Sequence, residues 1–432
     1  MSDAPAPRRA EVFRYRGLSV GTSRLSAAYE LDGRSFVEDV TLEGVGDLTA
    51  PAARAVATLW YLVAGLSYFK AGAARRVDLG DTPVGPAGRR LLAAALHDGL
   101  AEFALRNALD LDDVVIEGGA ALEPVTATLD PERVLVPFGG GIDSVVTVSA
   151  LPRHLDRALF VVSPASGRFA ALEAAAAVTG LDVVRATRVL DPAVATGDPA
   201  LWRGHVPVTA MVTLLAALAA VADGRGGVVM SNERSASVPN LVIGGREVNH
   251  QWSKSWAAER ALAEALAESV GPTLTVASLL RDRSEIWVGR AFADLPPYHH
   301  AFRSCNRAFA QDPSRRLDHW CNECDKCLFV NLVLAPFLDR ATLRGIFGGE
   351  PLADPARLAQ LRTLVGRGVT HKPFECVGDP DESAVALRAV AVDPAWSDVA
   401  HVADLAAELD APSLEELLDP YGPTGVPAHW LR

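Results

Sequence analysis

Lysine is nearly absent from this chain of 432 residues: there are four, against 37 arginines. They are Lys70, Lys254, Lys326 and Lys372. Cysteine is almost as scarce, with five residues and none among the first 304. Five thiols crowded into one region of a long chain do not form the disulfide framework of a small secreted domain. A cationic excess is missing too. Lys plus Arg total 41 against 53 Asp plus Glu, a net charge of −12, which argues against a protein that coats nucleic acid by charge. No apolar run reaches the ~20 residues of a membrane helix. The best candidate, VTAMVTLLAALAAVA at 208–222, has Pro207 before it and Asp223-Gly224 after it, the start and stop signals of a buried helix. The N-terminal MSDAPAPRRAEVFRYRG lacks the apolar stretch of a secretory signal. An acidic, soluble, cytoplasmic protein without a membrane or nucleic-acid partner is the expectation.

At ~150 residues per domain the length suggests about three parts. Residues 1–128 carry mixed signals. LWYLVAGLSYF at 59–69 reads as buried helix, LLAAALHDGLAEFALRN at 91–107 has helical spacing, and a Pro/Gly-rich stretch at 117–132 reads as a linker. Beyond it the pattern changes. Short β-like runs at 134–138, 158–163, 182–186 and 227–230 alternate with helical stretches at 169–179 and 207–222. That alternation predicts an α/β fold with a mostly parallel sheet flanked by helices over 129–300. An N-terminal α+β region, expected to contribute to substrate binding, precedes it at 1–128. Residues 301–432 hold all five cysteines, and the last 45 residues are expected to be helical.

The first chemical signal is Gly139-Gly140-Gly141-Ile142-Asp143-Ser144 between a strand and a helix. Glycines let backbone N–H groups approach a phosphate, and the helix N-terminus adds its positive dipole end. No Gly-Lys-Ser/Thr follows, so this is not a Walker A loop. It resembles the SGGxDS loop of the ATP-pyrophosphatase (PP-loop) superfamily, with Gly139 in place of the first serine. The bland alternative is a tight turn capped by Asp143. Ser163 and Asn232 end the strands at 158–163 and 227–230, on the rim where ligands of parallel sheets bind. The second signal is Cys321, Cys324 and Cys327 in CNECDKC, with Cys305 sixteen positions earlier. Four thiols can close a tetrahedral zinc site. Three at this spacing could also hold an iron–sulfur cluster, and reduced thiols in a small core remain the plain reading. The layout resembles the zinc site of the nitrile-forming deazaguanine synthases.

Two more segments are unusually polar and aromatic: VNHQWSKSW at 248–256 and HKPFECVG at 371–378. Each holds a lysine in a chain that prefers arginine, which hints at a need for a compact point charge. With these segments, HDGLAEFALRN (97–107), PFGGGIDS (137–144), HVPVTA (205–210), SNERSAS (231–237), GGREVNHQWSKS (244–255), FRSCNR (302–307), WCNECDKC (320–327) and HKPFECVGDPDES (371–383) make the chain similar to the MurL-type ATP-dependent UDP-N-acetylmuramoyl-L-alanyl-L-glutamate epimerases. The resemblance covers most of the chain. It implies that the L-glutamyl residue of UDP-MurNAc-L-Ala-L-Glu becomes D-glutamyl in peptidoglycan precursor synthesis, with ATP and Mg²⁺ used and AMP and diphosphate released.

On that resemblance Gly139, Gly140, Gly141 and Ser144 would cradle the diphosphate of ATP, joined by Ser163 and Asn232, and Asp143 would help hold Mg²⁺. Lys254 would neutralise charge on the α-phosphate. Asn249, Gln251 and Lys372 would contact substrate, and Arg281 and Arg283 would hold its carboxylate or diphosphate. Cys376, the cysteine left over from the group of four, is the first choice of base, with Glu375, His371 and His250 competing for that role. The alternative function is a PP-loop enzyme modifying RNA or a base, a thiolase or amidotransferase with a metal at its cysteines.

Overall fold

The computed structural model of the protein describes residues 7–195 and 198–431. The first six residues, part of the stretch read above for a signal, lie outside the described residues. Three strands open the chain, β1 (Val12–Val20), β2 (Arg24–Leu31) and β3 (Arg34–Glu43), paired as an antiparallel meander. In β3, Phe36, Glu38, Val40 and Leu42 are buried while their neighbours face outward, the period of two that gives a strand one inner face. Then follow β4 (Arg76–Asp78), β5 (Val115–Glu117), β6 (Asp130–Pro137), β7 (Asp156–Pro164), β8 (Val183–Val189) and β9 (Arg225–Met230). A separate hairpin, β10 (Leu241–Ile243) and β11 (Arg246–Val248), precedes β12 (Thr275–Ser278).

Ten strands share one sheet in the order β12-β9-β6-β7-β8-β3-β2-β1-β4-β5. From β12 to β8 all neighbours are parallel. This is the large parallel sheet that the strand–helix alternation predicts. Residue 128 marks no break in it, because β3 pairs antiparallel with β8 and joins the N-terminal meander to the parallel block. Within that block the chain runs outward from β6 through β7 to β8, then crosses back to β9 and β12 on the other side. The crossing creates a switch point at the carboxyl ends of β6 and β9, where two successive connections diverge and leave a crevice.

Both faces of the parallel block are covered. Leu135, Phe160 and Val228 face one core, with helices Pro51–Ala64, Val208–Ala222 and Trp256–Val270. Val136, Val161 and Val229 face the other, with Ile142–Ala150, Glu285–Ala293 and Asp325–Leu334. Helix Val208–Ala222 is buried along most of its length, as its composition predicts. Among the described residues the helical run Pro51–Phe69 is long and apolar enough to cross a membrane, but most of it lies buried inside the protein. It contains the aromatic run at 59–69.

Two expectations change. The helical stretch at 91–107 is two helices, Pro86–His97 and Ala101–Arg106. Gly99 sits at the break, where an added Cβ would lie 2.4 Å from the Ala95 carbonyl oxygen. The last 45 residues are only partly helical. After Leu414–Leu418 the chain returns to the sheet: the Tyr421 N–H donates to the Asp282 carbonyl at 2.9 Å, and Trp430 fills the space that a Cβ on Gly227 would occupy.

The joint between β3 and β8 contains an ion pair. Glu38, fully buried, takes both Nε and Nη2 of Arg188, the latter at 3.1 Å. Arg188 also donates to the Ser67 hydroxyl at 3.1 Å. Removing one partner of a buried pair leaves the other charge uncompensated. Glu38→Leu should therefore lower stability by about 3–5 kcal/mol in urea unfolding, and Glu38→Leu with Arg188→Met should recover most of the loss.

Candidate active site

The glycine loop lies at the switch point, between β6 and helix Ile142–Ala150. Gly140 has φ +74° and an added Cβ there would approach the Leu172 Cα to 3.1 Å. At Gly141 a Cβ would lie 2.8 Å from the Ser304 hydroxyl. The turn therefore needs glycine for both conformation and space. Ser144 braces the loop: its hydroxyl accepts from the Gly140 N–H (3.1 Å) and donates to the Gly141 carbonyl (3.0 Å). The FRSCNR segment covers it, with the Arg303 N–H donating to the Gly140 carbonyl at 3.2 Å.

A cavity of about 450 Å³ opens over this loop, a usual size for a small-molecule site. Gly139, Gly141, Asp143, Ser144, Asn232, Lys254, Glu375 and Cys376 line it, as do Arg303 and Lys326. Gly140 forms the turn behind this wall. Ser163 is buried on β7 and is not among the lining residues.

Three carboxylates meet beneath the loop. Asp143, Glu233 and Glu285 bring oxygens within 4.8 Å of one another. Asp143 Oδ1, Glu233 Oε2 and Glu285 Oε2 are buried without a hydrogen-bond partner among the described residues. Burial and the Glu233 charge push Asp143 up to about 6, against the pull of Lys326 and Lys254. Burial and the charges of Asp143 and Glu233 hold Glu285 well above the ordinary carboxylate range. Hard, unsatisfied oxygens in such a cluster suit a divalent cation such as Mg²⁺. Of these three only Asp143 was foreseen. Lys372 is buried close by, its Nζ without a partner among the described residues, in the field of Asp379 and Glu382.

Cys376 stands half-buried in the cavity wall. Burial pushes its thiol up, but Lys254, a hydrogen bond with His250, and Lys326 outweigh it and bring it down to about 6. Burial pulls His250 down, yet Cys376 and Glu102 raise it to about 9. Each group thus favours the charged form of the other, thiolate beside imidazolium. Lys254 is held above its ordinary range despite burial by Cys376, Glu233, Asp143 and Glu285.

The segment carrying Cys376 has no regular structure, and side chains from elsewhere hold it. Asn306 donates to Glu375 (2.9 Å), Gln251 to the Val377 carbonyl (3.0 Å) and Asn240 to the Pro373 carbonyl (2.6 Å). Lys326 donates to the Cys376 carbonyl. Several expected substrate contacts thus have other work. Asn249 bonds the Ala236 carbonyl and the Gln251 N–H. Arg281 is buried against Glu259 at 2.7 Å and also holds the Lys254 and Glu233 carbonyls. Arg283 pairs with Asp282 and stacks over Trp287. His371 is exposed and bonds the Lys372 carbonyl, in a neighbouring groove with Arg106 and Phe374.

The four cysteines of the expected metal group do converge. Cys305, Cys321, Cys324 and Cys327 place their sulfurs within 4.8 Å of one another. Cys321 and Cys324 lie 3.6 and 3.4 Å from Cys327. A tetrahedral ion with Zn–S bonds of ~2.3 Å needs sulfur separations of about 3.8 Å. The spacing therefore fits one ion at the centre.

Comparison with known proteins agrees with this layout. The MurL N-terminal domain model matches residues 4–279 and the MurL C-terminal domain model matches residues 301–418. The chain belongs to the MurL family. Three curated relatives bear the name UDP-N-acetyl-alpha-D-muramoyl-L-alanyl-L-glutamate epimerase. That of Salinispora tropica is 40% identical, over 92% of this chain and 89% of the relative. That of a Micromonospora species is 40% identical, over 98% of both. That of Xanthomonas oryzae pv. oryzae is 36% identical, over 92% and 90%. No solved structure matches. In this MurL chain Glu102, Glu233, Glu285, Arg303 and Lys326 are charged residues at the site that the sequence left unassigned. The signal was present for most of them: four lie inside the segments quoted for the resemblance, and Lys326 is one of four lysines.

A thiol brought down to about 6 is reactive above that pH and loses its thiolate as pH falls through it. Alkylation of Cys376 by iodoacetamide, followed at the peptide by mass spectrometry, should show a midpoint near pH 6. A midpoint near 8.5, that of an ordinary thiol, would contradict the field of Lys254 and His250.

Proposed function

We propose that this MurL-family protein epimerises the terminal glutamyl residue of UDP-MurNAc-L-Ala-L-Glu, using ATP to activate the α-carboxylate. The relatives' shared name supplies the reaction. The observation that carries the mechanism is that the glycine loop and the Cys376 thiolate face the same cavity.

The chemistry explains why both are needed. The α-proton of a free carboxylate is hard to remove, because a second negative charge would form beside the first. Attack of the carboxylate on the α-phosphate of ATP gives an acyl adenylate and diphosphate. The carbonyl then accepts the electron pair left by the proton. In this reading the loop acts as a PP-loop: Gly139, Gly140 and Gly141 cradle the diphosphate with the helix N-terminus behind them, and Asn232 borders the nucleotide. Lys254, a fixed cation on the cavity wall, offsets charge developing at the α-phosphate. Asp143, Glu233 and Glu285 would hold Mg²⁺, which would shield the phosphates.

Cys376 takes the α-proton on one face. Glu375, whose carboxylate also lines the cavity, is the group available for the opposite face. Water then cleaves the mixed anhydride to the carboxylate and AMP. Cys305, Cys321, Cys324 and Cys327 would hold a structural Zn²⁺. Next to them, Asn306 and Lys326 grip the segment that carries both bases. We assign the reaction to the cytoplasm, where ATP and nucleotide-linked precursors meet. The RNA-modifying alternative gains nothing from relatives named as muramoyl-dipeptide epimerases.

Incubation with ATP, Mg²⁺ and UDP-MurNAc-L-Ala-L-Glu should yield D-glutamate on hydrolysis, with AMP formed. In D₂O the product should carry α-deuterium. Cys376→Ala should still release AMP but give no deuterated D-glutamate; α-exchange in that variant would remove the thiolate from the base role. Lys254→Met should lower kcat by about 10²–10³. Metal analysis should find one zinc per chain and none in Cys305→Ser.

A further inference from the structure

Two of the eight segments that carry the family resemblance, 97–107 and 205–210, supplied no candidate residue. In the structure they meet at His250. Glu102, only 5% exposed on the short helix Ala101–Arg106, brings Oε2 to 2.5 Å from His250 Nδ1. Its Oε1 accepts from Arg106 Nε at 2.6 Å. The ring of His205 packs against that of His250 with centroids 4.2 Å apart. The His250 N–H donates to Asn240 Oδ1 at 2.8 Å. The imidazole is thus held by its backbone, one face and one nitrogen. Nδ1 is engaged, which leaves Nε2 as the ring nitrogen open to Cys376, whose interaction with His250 raises the imidazole.

We propose that Glu102 is a positioning residue, which keeps His250 protonated at Nδ1 with Nε2 turned on Cys376, so that the thiol stands ionised in the resting enzyme. The inference rests on Cys376 being the base proposed above. A carboxylate behind an imidazole fixes the tautomer and stabilises the imidazolium, and the imidazolium in turn stabilises the thiolate. The surrounding charges are few. Glu102 faces Arg106, His250 and His205; His205 also feels Lys70 and Arg106. Cys376 faces His250, Lys254 and Lys326. Burial and the charge of His250 keep His205 neutral, so it presents a ring face and adds no second cation. Loss of the Glu102 charge would let His250 release its proton more readily. The thiol would then lose its partner and ionise at higher pH.

The test is the alkylation profile of Cys376 in Glu102→Gln of the full chain. The expected result is an upward shift of the midpoint by about one pH unit. The acid limb of the rate profile for D-glutamate formation should move with it. A fall in kcat of about tenfold or more, with KM little changed, should accompany the shift. Glu102→Asp should restore part of the shift. A folded Glu102→Gln with the wild-type midpoint overturns the proposal. Should Glu102→Gln fail to fold, His250→Gln takes its place, and a wild-type midpoint in that variant overturns the proposal, since Glu102 acts only through His250. The two readings separate cleanly. A shifted midpoint in a protein whose wild type makes no D-glutamate refutes the proposed reaction and leaves the role of Glu102 standing. An unmoved midpoint in an active epimerase refutes only Glu102.

Discussion

Opposite charges confined out of water beneath the glycine loop set the terms for the rest of this protein. Asp143, Glu233 and Glu285 repel one another there, and Lys254 and Lys326 oppose them. Such a group survives burial only if its members are fixed and balanced. The fold supplies that fixing from many directions. Asp143 comes from the helix after β6, Glu233 from the loop after β9, and Glu285 from the first turn of the helix after β12. Arg281, buried beside Glu259, holds the main chain at both Glu233 and Lys254. It shapes the site without entering it.

Sheet order explains why these parts converge. The strands that end at the site are neighbours in space, although β6 and β9 are separated in sequence by β7, β8 and their crossovers. A parallel sheet brings all its carboxyl ends to one rim. The N-terminal meander extends the same sheet through the Glu38–Arg188 joint, and its helices pack beneath. The short helix with Glu102 thereby reaches His250.

Much of this was legible in the residues. Short apolar runs located β6, β7 and β9 within a few positions, because strands buried on both faces are continuously apolar; the run at 182–186 located β8, of which only alternate residues are buried. The glycine loop announced itself, and so did the four cysteines, since both depend on local spacing. The meander did not. Glu38 occupies an inward position of β3 and interrupts the apolar alternation, and its partner Arg188 lies 150 positions away. Glu102 was hidden for the same reason: a glutamate in a helix is ordinary, and His250 is 148 positions distant. The arginines at 281 and 283 looked like ligand-binding forks. Only the fold reveals that one is occupied by Glu259 and the other by Asp282 and Trp287. Charge partners far apart in sequence leave no periodic trace.

The stretch around Cys376 has a consequence for binding. A segment without helix or strand ordinarily charges its ligand the entropy of ordering it. Here Asn240, Gln251, Asn306 and Lys326, drawn from separate elements, tie that stretch down before any ligand arrives. The disorder is given up during folding, and the wall meets its substrate already shaped. Asn240 and Gln251, which lie outside the cavity lining, thereby help govern how often the reacting atoms are aligned. The tuning of this active site is spread over the molecule as stiffness.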